Sequence, residues 1–349
     1  MKHIIGGNPL SEPAAVKTVL VDEEAAGQRL DNFLLRQLKG VPKTHVYRII
    51  RSGEVRINKG RATPDRRVAA GDIVRLPPVR TSLRANDKAQ AMAAGAVAGL
   101  ATDVTQDAPD RPAPAREFPV LFEDDCLLAI DKPAGVAVHG GSGVSFGVIE
   151  QLRMARPLAR FLELVHRLDR ETSGILLIAK KRSALKHLQN QFRERETGKT
   201  YLALAAGQWP ARLKVLDKPL RKYLLPDGER RVEVVAKDHP DAMPSLTLVK
   251  PVRSGGGFSL LEVTIKTGRT HQIRVHLAAE GMPVAGDEKY GNFELNKSLQ
   301  RAGAPVPLRR MFLHAWRLQF KHPVGGQRVE LICGLPPGLQ LFLDHVASA

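Results

Sequence analysis

The stretch His166-Arg167-Leu168-Asp169-Arg170-Glu171-Thr172-Ser173-Gly174, which runs straight into the apolar segment 175–179, decides how the rest of this chain is read. A polar loop followed by an unbroken apolar run describes a loop feeding a strand that is buried on both faces. Asp169 stands between two arginines in that loop, and an acid so placed stays ionised and keeps one direction. Such a group suits nucleophilic or general-base work. A structural ion pair at a strand entrance has the same local sequence, so other segments must choose between the two.

Two segments do so: Asp131-Lys132-Pro133-Ala134-Gly135 upstream and Thr267-Gly268-Arg269-Thr270-His271-Gln272-Ile273-Arg274-Val275-His276 downstream. With the Asp169 stretch between them, they strongly resemble the family of pseudouridine synthases that act on ribosomal and transfer RNA. The resemblance covers most of residues 118–335. The runs Lys39-Gly40-Val41-Pro42-Lys43, Val138-His139-Gly140-Gly141-Ser142-Gly143 and Phe161-Leu162-Glu163-Leu164-Val165-His166 are similar to members that modify large-subunit ribosomal RNA.

Composition points the same way without any family. The 349 residues carry 53 Lys+Arg against 36 Asp+Glu, a net charge of +17, which favours a polyanionic partner. Length allows two domains and a substantial core. No run of apolar residues is long enough to span a bilayer, there is no basic amphipathic anchor, and the first twenty residues lack the apolar region of a signal peptide. Cys126 and Cys333, the only cysteines, lie far apart in apolar segments, so neither a disulfide framework nor a thiolate metal site is expected. The expected location is the cytoplasm.

The chain divides at a compositional break. Residues 85–116 hold 11 alanines in 32 positions together with Pro109, Pro112 and Pro114, and no aromatic residue. Residues 83–117 are therefore expected to form a flexible linker, spanning roughly 30 Å as a random coil. Before it, residues 18–82 carry 13 Lys/Arg and 7 Asp/Glu. Leu30, Phe33, Leu34 and Leu38, then Val46, Ile49 and Ile50, recur at helical spacing and predict two short helices. Lys43, Tyr47 and Arg51 fall on one stripe of the second helix with Arg48 beside them, cations around an aromatic that suit phosphate and base contact. Strands are expected around Val55 and Ile57 and over 73–76, with a turn at Lys59-Gly60. This ααβ unit resembles the S4-type RNA-binding domain.

Residues 118–349 read as an α+β domain. The continuous apolar runs 126–130 and 175–179 predict buried strands, and Leu261, Val263 and Ile265 alternate with polar residues. Ser183 is expected to cap a helix that buries Leu185, Leu188 and Phe192 and ends near Gly198, before a strand over 201–205. The family resemblance implies a large mixed or antiparallel sheet flanked by helices, with an RNA cleft across it.

It also implies a chemistry: the uracil of a uridine is detached from its ribose, rotated and rejoined through carbon 5, without cofactor or external energy, in large-subunit ribosomal RNA or its assembly intermediates and at more than one uridine. Carried over residue by residue, the resemblance makes Asp169 the catalytic aspartate, attacking the sugar or removing a sugar proton, with Arg274 as its partner and Tyr201 against the base. His166 and Arg167 fall where the family extracts the target nucleotide from its stack. Arg269 and Thr270 precede a predicted helix that Thr270 can cap and whose end can receive a phosphate. No metal is expected, since His271 and His276 are five apart rather than four and no cluster completes a set. Gly140-Gly141-Ser142-Gly143 lacks the continuation of a nucleotide-binding loop. Asp241-Ala242-Met243-Pro244-Ser245-Leu246-Thr247 departs from the family by a missing cation, so a peripheral RNA contact is expected to differ. A monomer is expected. The competing classes are a noncatalytic RNA-binding or ribosome-assembly factor and the same chemistry on transfer RNA; the presence of Asp169, Tyr201 and Arg274 together favours the enzyme.

Overall fold

The computed structural model describes residues 16–22, 25–38, 41, 43–79, 113–140, 146–301 and 303–348. The chain forms two compact units, Met1–Asp107 and Ala108–Ala349. Most of the expected linker, up to residue 112, and the glycine-rich positions 141–143 lie outside the described residues.

The first unit contains β1 (Lys17–Leu20), α1 (Leu30–Gln37), α2 (Lys43–Arg51), β2 (Arg56–Ile57), β3 (Gly60–Arg61) and β4 (Ile73–Leu76), with sheet order β1-β4-β2-β3. The helical periodicity is realised as one core in which Leu30, Phe33 and Leu34 meet Val46, Ile49 and Ile50 over Val55, Ile57 and Val74. The hairpin turn sits one residue earlier than expected. Asn58 (φ 49°) and Lys59 (φ 69°) are both left-handed, the conformation that two-residue hairpins require, and Gly60 pairs with Ile57. Asn58 tolerates that conformation because its amide is tied down, donating to Asp72 and accepting the Ile73 N–H, each at 2.8 Å.

The second unit is built on β5 (Val120–Glu123), β6 (Leu127–Lys132), α3 (Val148–Ala155), β7 (Glu163–Leu164), β8 (Ser173–Ala179), α4 (Arg182–Arg193), β9 (Gly198–Ala206), β10 (Val215–Asp217), β11 (Leu220–Leu224), β12 (Arg230–Val234), β13 (Leu246–Gly255), β14 (Phe258–Ile265), α5 (Gln272–Ala279), α6 (Phe293–Gln300), β15 (Leu313–Lys321), β16 (Arg328–Ile332) and α7 (Pro337–Ser348). A ten-stranded sheet runs β10-β13-β14-β9-β15-β8-β6-β5, with β16 on β15 and β7 on β8; β11 and β12 form a separate hairpin. Its pairs are antiparallel except β8 with β15, which is parallel. The apolar runs are continuous because both faces are covered. Leu128, Ile130, Leu176 and Ile178 pack under Val148 and Leu152 of α3, while Leu127, Ala129, Ile175 and Leu177 pack with Leu188 of α4 and Phe320.

The parallel junction depends on one glycine. Gly174 adopts φ 106°, and a Cβ there would lie 2.3 Å from the Ala315 carbonyl oxygen, so only glycine lets β8 and β15 close.

Several local expectations are corrected. Ser183 lies inside α4 rather than capping it; Lys181 is the N-cap and offers no side-chain bond, and α4 stops at Arg193 so that Gly198 opens β9. Thr270 does not cap α5. His271 does, in a left-handed conformation (φ 53°), while the Gln272 side chain accepts the Arg269 N–H at 3.1 Å. Residues 116–117, assigned to the linker, pack on the second unit: Glu117 pairs with Arg156 at 2.8 Å and Arg116 lies over Phe118.

Candidate active site

Asp169 sits in the loop between β7 and β8, and that loop is pinned from behind. The fully buried Lys132 ammonium donates to the carbonyls of Pro133 and Val136 at 2.8 Å and to that of Arg170 at 3.0 Å. Burial pushes its pKa down to about 7 against the opposing charge of Glu171, while three carbonyl acceptors favour the ammonium form. The Gly135 N–H adds a bond to the same Arg170 carbonyl.

Arg274, on the first turns of α5, reaches the Asp169 carboxylate with Nη1 at 3.2 Å. Its stronger partner is Asp287, which sequence reasoning missed. Nε and Nη2 of Arg274 grip the two Asp287 oxygens at 2.7 and 2.8 Å, a two-pronged pair with Asp287 fully buried. Burial opposes ionisation of Asp287, but the bonds and charge of Arg274 and the N–H groups of Lys289 and Tyr290 outweigh it and hold its pKa below the usual carboxylate range. The arginine is thus fixed before it touches Asp169. Asp287 follows Gly286, whose φ of 74° and whose missing Cβ, 2.2 Å from the Arg310 carbonyl oxygen, mark a constrained turn. That Gly-Asp turn was the only signal in the sequence.

His271 is the second residue sequence reasoning missed as part of the site. Its Nε2 lies 3.9 Å from Asp169, its Nδ1 is 2.8 Å from the Tyr290 hydroxyl, and burial pushes its pKa down to about 4. Tyr201, from β9, is half-buried beneath them, with its pKa raised by burial and then by the Asp169 charge.

Two cavities meet at this point. The larger, about 600 Å³, is walled by Arg167, Asp169, Arg170, Glu171, Arg231, Arg274, Lys289, Arg309 and Arg310 among others. The smaller, about 100 Å³, is lined by Tyr201, Ile265, Arg269, Thr270 and Leu313. Arg167, Leu168, Asp169, His271 and Arg274 belong to both, so the carboxylate stands at the doorway between an open basic cleft and a small, partly apolar chamber.

The other expected site residues divide. Arg167 is exposed at the doorway, whereas His166 faces away from both cavities. Its ring accepts the Leu177 N–H at 3.1 Å and stacks on Phe192, so its expected role in extracting a nucleotide is withdrawn: it braces β8 against α4. Arg269 donates to the Pro244 carbonyl. Nor do Arg167 and Arg170 hold Asp169 between them, since Arg170 pairs with Glu171 at 2.7 Å. In the first unit, Tyr47 does not stand free on its stripe. It is half-buried and donates its hydroxyl to the buried Asp31, which Arg29 also grips. Arg48 and Arg51 are exposed, and the Lys43 side chain lies outside the described residues. Among the described residues no group of three or more His, Cys, Asp or Glu is placed to hold a metal, and no helix is long and apolar enough to cross a membrane.

Comparison with known proteins places this geometry in context. Residues 126–279 match the RNA pseudouridylate synthase family model and residues 28–74 match the S4 domain. Ribosomal large subunit pseudouridine synthase C of Pasteurella multocida (strain Pm70) is 47% identical over 94% of this chain and 93% of its own. The protein of the same name from Escherichia coli (strain K12) is 47% identical over 97% and 99%. The structure of human RNA Pseudouridylate Synthase Domain Containing 4 superposes with a TM-score of 0.53 at 26% identity, covering 65% of this chain and 92% of that one. The likeness to the bacterial relatives runs through both units and nearly to both ends of each sequence, and the chain belongs to the RNA pseudouridylate synthase family.

Proposed function

We propose that this chain converts uridine to pseudouridine in large-subunit ribosomal RNA, at more than one uridine, with Asp169 as the catalytic group and without a cofactor. The observation that carries the reading is the Asp169–Arg274–Asp287 chain at the doorway between the two cavities. In the isomerisation the bond from the sugar to N1 of uracil breaks and a bond to C5 forms, while the C5 proton is lost and N1 gains one. Nothing is added overall, so the demand on the protein is to hold a base, a sugar and one reactive carboxylate in register.

The chamber floored by Tyr201 suits a planar base, and the basic cleft suits the strand on either side of it. Arg167, exposed at the doorway, fills the gap left when the uridine leaves its stack. Arg274 keeps Asp169 directed at the sugar. The names of the bacterial relatives supply the ribosomal substrate, and the S4 match supports RNA capture by the first unit. The test is Asp169→Asn, which removes the charge and keeps the volume. The variant is expected to bind ribosomal RNA like the wild type and to form no pseudouridine; isomerisation at a near wild-type rate contradicts the assignment.

A further inference from the structure

Ser173 and His314 face each other in the parallel register that Gly174 permits, and both are fully buried. Ser173 Oγ lies 2.8 Å from His314 Nδ1, and His314 Nε2 lies 3.0 Å from the Cys333 carbonyl oxygen. A carbonyl only accepts, so Nε2 carries the ring proton; burial keeps the imidazole neutral, which leaves Nδ1 as an acceptor. Ser173 therefore donates its proton to His314, and its oxygen is free to accept. It accepts from Arg310 Nη2 at 2.8 Å. Among the described residues, the only other bond of that guanidinium is from Nε to the Met311 carbonyl at 3.3 Å.

Among the cleft-lining cations that are not exposed, Arg310 is the exception. Arg231 and Lys289 pair with Glu229, and Arg274 with Asp287. Arg310 makes no ion pair among the described residues, although it is less exposed than Arg167 or Arg309. Glu171 and Asp131 act on it only through space, and burial outweighs them to lower its pKa. A partly desolvated cation without a counter-ion, aimed into a cavity by a chain of bonds of fixed polarity, is an arrangement that an incoming anion completes.

We propose that Arg310 is a phosphate-binding residue, held by the Ser173–His314–Cys333 chain to receive a backbone phosphodiester of the RNA lying in the cleft beside Asp169. The proposal rests on the reading that this cleft takes RNA. Arg310 contacts the ligand; Ser173 and His314 are positioning residues.

The test uses the full chain and in vitro transcribed large-subunit ribosomal RNA, with binding measured across salt concentrations and pseudouridine formation followed in single turnovers. Arg310→Gln is expected to lower the slope of log affinity against log salt by about 0.7–0.9, the loss of one phosphate contact. Arg310→Lys keeps the charge and should keep the slope. Ser173→Ala should weaken binding by roughly two- to fivefold, and should have no further effect when Arg310 is already Gln, whereas a merely structural role makes the two changes additive. Unchanged affinity and slope in Arg310→Gln overturn the proposal, as does intact binding with a collapsed rate, which assigns Arg310 to the chemistry. Should Arg310→Gln fail to fold, wild-type affinity in Ser173→Ala overturns it. Asp169→Asn, run in parallel, separates the two readings: a wild-type rate there removes the catalytic assignment and leaves the salt-slope result for Arg310 standing.

Discussion

Asp169 owes its direction to a residue it never touches. Arg274 meets it through one nitrogen at 3.2 Å, while two other nitrogens of the same guanidinium are locked to Asp287. Replacing Asp287 by alanine strips the buried Arg274 of its two-pronged partner and leaves it the single contact to Asp169, for which a loss of up to about 3–5 kcal/mol is expected in denaturant unfolding, together with loss of isomerisation. Because the Asp287 pKa is depressed in the folded state, its stabilisation is complete above the unfolded carboxylate range and is lost as pH falls through the folded value. Asp287→Asn should therefore flatten the acid limb of the stability curve. Arg274 was legible because it belongs to a long, unusual run of sequence. Asp287 lies 13 residues further on in a turn with no periodicity, and nothing but the fold joins the two. His166 was misread for a related reason: Arg167 lines the doorway, but the ring of its neighbour is taken into the body by the Leu177 N–H and Phe192, contacts that only the fold brings to it.

The elements that were easiest to read are those buried on both faces. β6 and β8 declare themselves by composition, since no polar residue can be tolerated along their centres. Their junction with β15 was invisible, because register and parallel direction are set by long-range packing and by the absence of a Cβ at Gly174. Gly174→Ala combines a left-handed φ with a contact of 2.3 Å to backbone, and is expected to cost about 2–5 kcal/mol in thermal or chemical unfolding. The brace between β8 and α4 carries a pH dependence. Burial, then the charge of Lys199, pushes the His166 pKa down to about 4, so the ring is neutral when folded. Stability from this group is fully present above the ordinary histidine pKa of about 6.5 and is lost as pH falls toward 4, on the order of 2–3 kcal/mol. Unfolding measured across that window should be shallower for His166→Gln than for wild type. Helix ends were the least legible feature. Lys181 and His271 cap their helices without a side-chain bond, so capping chemistry gave no mark to find and the nearby Ser183 and Thr270 drew the assignment instead.

At the scale of the molecule, the proposed function divides the work between the two units. The described residues lining the site around Asp169 belong to the second unit, so a fragment from residue 113, which keeps the Glu117–Arg156 pair, is expected to fold and retain isomerisation at high RNA concentration. Loss of the first unit should weaken RNA affinity, and Arg48→Ala with Arg51→Ala in the full chain should make its salt dependence shallower by about 0.7–0.9 per lost contact. The division itself was legible from composition, as the alanine-rich segment separates two stretches with their own apolar periodicity. The stripe expected on the second helix is altered by the fold, because the tyrosine at its centre is drawn inward by Asp31, a contact between helices that no local pattern announces. The central claim is that uridine in ribosomal RNA is isomerised by Asp169 at this doorway, and nucleotide-resolution mapping of pseudouridine tests it most directly. Unmodified large-subunit ribosomal RNA is incubated with wild-type protein or with Asp169→Asn at concentrations that saturate binding. New pseudouridines with the wild type and none with the variant are the predicted result; equal modification by both, or none by either, contradicts it.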